Sequence, residues 1–182
     1  MAPDHAWFES RANLAVWAPM PLVGIDHVYL VVSDFDRSES FYDRVMRALG
    51  FFKGDRAIAG ERHAHYFNRA IQISIRPARS PGPHDPYAPG LHHLCLQALD
   101  RKTVDEGHLA LVALGVEATP PALYPEYAED YYATFFADPD GMRFEIVARR
   151  AARDEIVREW SELRTFLNPI QELRARRRKG AT

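Results

Sequence analysis

Gly24-Ile25-Asp26-His27-Val28-Tyr29-Leu30 returns downstream as Gly90-Leu91-His92-His93-Leu94-Cys95-Leu96. Such self-similarity marks one structural unit used twice. Two further echoes support the repeat. Asp34 stands ahead of one amphipathic segment and Asp100 ahead of another, and Ala70-Ile71-Gln72-Ile73 resembles Arg143-Phe144-Glu145-Ile146. Each unit therefore reads as a strand, a helix, and two or three further strands.

Residues 24–32 alternate with a period of two, as a half-buried strand does. Asp36 and Glu39 stand at capping-box spacing, after which Phe41, Tyr42, Val45, Met46 and Leu49 form one helical face that stops at Gly50. The second copy repeats the plan with a strand at 91–98 and Thr103 with Glu106 as the cap. Its helix carries Val104, His108 and Leu111 and stops at Gly115. Asn68-Arg69 predicts a tight turn between strands 61–67 and 70–76, and Asp138-Pro139-Asp140-Gly141 another between 131–137 and 142–148. Residues 77–90 hold five of the 13 prolines and read as a stiff linker or lid. Near the C-terminus Ile156, Trp160, Leu163 and Leu167 share one helical face, which predicts a docked helix ending in a basic tail.

The composition belongs to an ordinary globular chain: 182 residues, 47% hydrophobic and 26% charged. With 23 Lys+Arg against 25 Asp+Glu, no global field draws the protein to nucleic acid or membranes. Cys95 stands alone, which excludes an internal disulfide and a cysteine-based zinc site. The apolar stretch 12–24 contains Asn13, Pro19 and Pro21 and lacks a signal-peptide pattern, so neither a secretory leader nor a membrane span is expected. The expected setting is the cytoplasm.

Side chains alternate across a strand, so parity tells which residues share a face. His27, Tyr29 and Val31 oppose Val28, Leu30 and Val32. Gln72, Ser74 and Arg76 oppose Ile71, Ile73 and Ile75. In the second copy His93, Cys95 and Gln97 oppose Leu94, Leu96 and Ala98, and Glu145 opposes Phe144 and Ile146. The apolar faces are expected to pack on the helices, which leaves a face of His, Gln, His and Glu without lysine. Any one of these taken alone is ordinarily a core histidine or a solvated strand residue. All of them at matching positions of a repeat favour a metal: two imidazoles and a carboxylate hold a divalent ion and leave positions open for substrate. Gln72 adds a neutral oxygen.

Four stretches together resemble the vicinal oxygen chelate superfamily, which includes glyoxalases, methylmalonyl-CoA epimerases, extradiol dioxygenases and the fosfomycin and bleomycin resistance proteins. They are Gly24-Ile25-Asp26-His27-Val28, Arg37-Ser38-x-x-Phe41-Tyr42, Gly90-Leu91-His92-His93 and Asp138-Pro139-Asp140-Gly141-x-x-x-Glu145. The resemblance covers about residues 22–150, and it implies an α+β fold. Paired βαβββ modules, at about 22–77 and 90–150, would form a cupped, mixed eight-stranded sheet around a metal site. Residues 1–21 would be an N-terminal extension and 151–182 a C-terminal helix with a basic tail. The implied ligands are His27, His93 and Glu145, with Gln72 at the position of the first module's last ligand. The metal could be nickel, zinc, cobalt, manganese or iron, the ligand a small molecule and the assembly a homodimer.

The superfamily binds two neighbouring substrate oxygens to the metal, which acts as a Lewis acid. Departures from each subfamily narrow the reaction. Bacterial glyoxalases usually carry glutamate where this chain has Gln72, and an amide cannot serve as a base. A two-residue turn at Asn68-Arg69 would place His65 opposite Gln72, making His65 a candidate acid/base beside Glu145. Tyr29, Ser74, Cys95 and Gln97 share the expected cleft face and would shape the pocket. The leading expectation is a metal-dependent isomerase, lyase or epimerase. The alternatives are an iron(II) extradiol dioxygenase, although Phe135 stands where those enzymes commonly have tyrosine, and a non-catalytic binding protein like the bleomycin resistance proteins. The loop containing Tyr124, Tyr127, Tyr131 and Tyr132 reads as a lid or a subunit boundary.

Overall fold

In the computed structural model, which describes residues 24–54, 58, 60–80, 82–151 and 154, the repeat becomes two copies of one topology. The first contains β1 (His27–Val32), α1 (Phe35–Ala48), β2 (Phe52–Gly54), β3 (Ala64–Phe67) and β4 (Gln72–Pro77). The second contains β5 (His93–Gln97), α2 (Arg101–Ala113), β6 (Ala122–Leu123), β7 (Tyr132–Ala137) and β8 (Arg143–Ala148). The sheet orders are β1-β4-β3-β2 and β5-β8-β7-β6. β1 runs parallel to β4 and β5 to β8, as a helical crossover requires, and the remaining pairs are antiparallel.

This is the α+β arrangement of two βαβββ units, with one correction. The two ladders are separate four-stranded sheets, not a single eight-stranded one, because β1 and β5 are edges with no strand hydrogen-bonded on their outer side among the described residues. The expected N-terminal extension and the body of the C-terminal helix and tail lie outside the described residues. The backbone is helical at Arg150, Ala151 and Asp154.

Both helices are capped by the aspartates that echo each other. Asp34 Oδ1 accepts from the Arg37 amide at 3.0 Å, and Asp100 Oδ1 accepts from the Thr103 amide at 2.8 Å. These replace the expected boxes at Asp36/Glu39 and Thr103/Glu106. The cap must sit in extended backbone just before the first turn, where Asp34 and Asp100 are, whereas Asp36 already lies in the helix. Both helices stop where expected. Gly50 (φ 82°) and Gly115 (φ 74°) take the left-handed conformation, and the Phe51 and Val116 amides bond back to Met46 and Leu111.

One apolar cluster spans both copies. Phe41, Tyr42, Val45 and Met46 of α1 are buried with Ile73 and Ile75 of β4, and Val104 and Leu111 of α2 with Phe144 and Ile146 of β8. Each such side chain contributes about 1.5–3 kcal/mol on burial. Phe144 stacks on Phe136 at 5.1 Å and meets the Tyr42 ring at 6.1 Å, so the core crosses from one copy to the other. Gly107 lets α2 lie close on β8, for a methyl there would stand 3.1 Å from Ile146 Cδ1.

The turn Asp138-Pro139-Asp140-Gly141 locks the copies together. Tyr42 donates its hydroxyl to Asp138 Oδ2 at 2.8 Å, Arg37 donates to Asp140 Oδ1 at 2.5 Å, and the Ser33 amide donates to Asp140 Oδ2 at 2.6 Å. Burial raises the Asp138 carboxyl above the usual carboxylate range. The linker is tied to the same place, with Ser33 Oγ donating to Gly82 O and the His84 amide to Asp140 O.

Candidate functional site

The β3–β4 hairpin sets the first half of the site. Its loop is four residues, 68–71, instead of the expected two, because Asn68 Oδ1 accepts from both the Ala70 and Ile71 amides. The pairs are therefore Phe67↔Gln72, Tyr66↔Ile73 and His65↔Ser74. A shift by two preserves parity, so His65 still shares a face with Gln72.

That face carries His27, Tyr29, His65, Gln72 and Ser74. His27 pairs with Gln72 and Tyr29 with Ser74 across β1 and β4. Ser74 is fully buried and His65 nearly so, at 5% exposure. The Gln72 amide nitrogen donates to Ser74 Oγ at 2.9 Å, and that oxygen lies 2.9 Å from His65 Nδ1. The amide oxygen of Gln72 is the donor atom left for a ligand. The Tyr29 ring meets His27 edge-on at 5.4 Å and His65 at 6.2 Å.

The second half sits on β5 and β8. His93 Nε2 is 3.5 Å from Glu145 Oε2, and Glu145 is 2% exposed. Tyr131 donates its hydroxyl to the other carboxylate oxygen at 2.5 Å. The residue that partners Glu145 is thus Tyr131 and not the residue at position 135, where a tyrosine was sought. Parity puts residues 131, 133 and 135 on one face, but that Phe135 lies opposite Glu145 is a matter of strand register, which the sequence does not display. Cys95 is exposed as a residue, but desolvation of its sulfur, and then the Glu145 charge, push the thiol up to about 12 and keep it neutral. Cys95 and Gln97 line a separate hollow of about 510 Å³ with Leu94 and Leu96. His93, Tyr127, Tyr131, Phe135, Glu145 and Arg149 line a cleft of about 880 Å³.

The halves are similar but not identical. By register Gln72 corresponds to Arg143, and it is Ser74 that corresponds to Glu145. The sequence echo is thus two residues out of step with the ladders, on the same face.

The donor chemistry suits a divalent ion in both halves. His27 Nδ1 lies 2.8 Å from Asp26 Oδ2, and His93 Nδ1 lies 2.8 Å from His92 Nδ1. In His27 the preceding aspartate engages Nδ1 and leaves Nε2 to ligate, the arrangement that orients metal-binding imidazoles; in His93 the Nδ1 partner is the His92 imidazole, and Nε2 ligates in the tautomer where His93 gives its Nδ1 proton to His92. Each half supplies two donors, but among the described residues no three His, Cys, Asp or Glu side chains come together as a metal group.

A search of curated proteins found no match. Solved structures share the fold. A glyoxylase/bleomycin resistance protein/dioxygenase domain from Frankia sp. EAN1pec is 24% identical, with TM-score 0.59 over 70% of this chain and 98% of its own. A glyoxalase/bleomycin resistance protein from Albidiferax ferrireducens T118 is 25% identical, with TM-score 0.53 over 68% and 98%. A mutant fosfomycin resistance protein from Listeria monocytogenes, solved with Mn(II) and 1S,2S-dihydroxypropylphosphonic acid, is 22% identical, with TM-score 0.53 over 70% and 92%. A family model matches residues 24–146, most of the chain and both repeats. With the repeat, the topology and that match in agreement, the chain belongs to the Glyoxalase/Bleomycin resistance protein/Dioxygenase superfamily.

Proposed function

We propose that this chain is a divalent-metal-dependent enzyme of the glyoxalase type, an isomerase, lyase or epimerase acting on a small substrate with two neighbouring oxygens. One observation carries the reading: each repeat offers an imidazole with Nδ1 engaged, beside an oxygen donor on the same face. His27 with Gln72 and His93 with Glu145 would hold the ion, and two copies of the chain would bring the halves together. β1 and β5, which carry the two histidines, are both sheet edges, and both histidines are exposed.

A bound nickel, zinc, cobalt, manganese or iron ion supplies Lewis-acid polarisation of the substrate oxygens. The chain supplies the rest. Tyr131 holds one oxygen of Glu145, which leaves the other to take a substrate proton and return it. His65, buried against Ser74, is the second proton carrier. Tyr127, Tyr131 and Phe135 give the cleft an aromatic wall. The Listeria protein, solved with Mn(II) and a vicinal diol, is consistent with this chemistry.

The test is metal content and complementation. His27→Ala and Glu145→Ala each lose the metal. Random re-pairing of the two variants gives about half mixed dimers, each with one intact site, so metal returns to about one quarter of the wild-type level. No return on mixing means that one chain holds the whole site. Absence of metal in the wild type, even after reconstitution with each ion, leaves a ligand-binding protein.

A second reading, an iron(II) dioxygenase, is favoured by Ser74 standing at the register position of Glu145. That leaves His27, His93 and Glu145 as a two-histidine, one-carboxylate set of the kind iron oxygenases use. Iron in the purified protein with oxygen uptake on catechols would select it.

A further inference from the structure

We infer that the cleft beside Glu145 selects an anionic, flat substrate, with Arg149 as the residue that recognises its carboxylate. This rests on the metal-site reading only for the placing of the substrate's two oxygens near His93 and Glu145.

Arg143 and Glu145 share one parity along β8, and Arg149 follows the last residue of that strand. Both arginines line the same cleft of about 880 Å³, as do the carboxylates Glu126 and Glu145. Their surroundings differ. Arg143 is exposed, donates to the Tyr87 hydroxyl at 3.3 Å and lies over the Tyr87 ring at 5.2 Å. Arg149 is half-buried and lies over the Tyr131 ring at 5.6 Å. No ion pair to Arg149 is formed among the described residues. A half-buried guanidinium keeps its full charge and its fork of donors, so a carboxylate entering the cleft gains two aligned charge-assisted hydrogen bonds.

The space next to that charge is aromatic. Phe135 meets Tyr124 edge-on at 5.2 Å, Tyr124 stacks on Tyr127 at 6.2 Å, and Tyr127 tilts against Tyr131 at 5.1 Å. Tyr127, Tyr131 and Phe135 of this series line the cleft. Such a wall suits the face of a ring, not a long flexible chain. The Arg149 guanidinium sits over the ring whose hydroxyl holds Glu145, so an anion bound to it and the reacting oxygens would share the Tyr131 side of the cleft. Arene carboxylates carrying adjacent oxygens have this chemistry.

The experiment uses 3,4-dihydroxybenzoate and its uncharged amide, 3,4-dihydroxybenzamide. Both are titrated calorimetrically into the full-length protein, with metal content measured on the same samples. The acid is expected to bind about tenfold or more tighter than the amide, the worth of a charge-assisted hydrogen bond. In Arg149→Ala the two ligands should bind within about twofold of each other. Arg149→Lys should keep part of the preference, since the charge remains but the fork is lost. Equal affinities in the wild type overturn the inference, as does a preference that survives Arg149→Ala. Absence of metal from every sample, with the Arg149-dependent preference intact, counts against the metal reading and supports the anion site.

Discussion

At Glu145 one phenol decides how the carboxylate is presented. Its two oxygens are divided between Tyr131 at 2.5 Å and His93 at 3.5 Å, in a position 2% exposed to solvent. Tyr131→Phe leaves one buried oxygen without its donor, at a cost of about 1–3 kcal/mol in the metal-free protein. Metal affinity should fall about 10–100-fold, as when an outer partner of a ligand is removed. Chemical denaturation of the stripped protein and competition with a chelator read the two effects separately. Unchanged metal affinity would mean that Glu145 is not a ligand. That His27 shares a face with Gln72, and His93 with Glu145, was legible in the sequence because repeat and parity both speak to which face a side chain takes. Tyr131 was not, because its bond joins two strands, and only the register of β7 against β8 shows what lies across from Glu145.

Among the elements, α1 and the turn 138–141 show what motif reading reaches and where it stops. Arg37 and Tyr42 belong to a stretch that resembles the family pattern, and their work is to grip Asp140 and Asp138 of the other repeat. Tyr42→Phe removes the hydroxyl from a fully buried position and should cost about 1–3 kcal/mol. It also changes the response to alkali. Burial, and then the Asp138 charge, raise the Tyr42 hydroxyl well above its ordinary 10.0. A group raised in the folded state contributes stability that is present below its unfolded value and lost as pH rises. Wild-type stability should therefore decline above about pH 10, and the Phe variant should decline less steeply. Equal slopes in denaturant midpoints from pH 9 to 11 would remove Tyr42 from that decline. The hairpin turn carries the complementary lesson. Asn68 announced a turn, but its double acceptance from Ala70 and Ile71 sets the loop length, and residue type alone does not show that.

For the whole molecule, the two edges matter most. β1 and β5 each leave one side without a hydrogen-bonded strand among the described residues, and each carries a proposed ligand. The repeat made the two-sheet architecture legible. It could not show whether the sheets close on each other within one chain, because edge pairing depends on long-range packing that local alternation does not encode. An unpaired edge with an apolar outer face invites another chain, and Val31 on β1 is 60% exposed on the same face as His27. Val31→Glu puts a charge on that face without touching the core. A surface change of this kind moves the melting stability of the free chain by no more than about 0.5 kcal/mol. If two copies complete the metal site, Val31→Glu should shift the protein from dimer to monomer in sedimentation and lower its bound metal in parallel. Metal retained by a monomeric Val31→Glu protein would place all the ligands in one chain. A dimer that persists with its metal would move the contact away from the β1 edge.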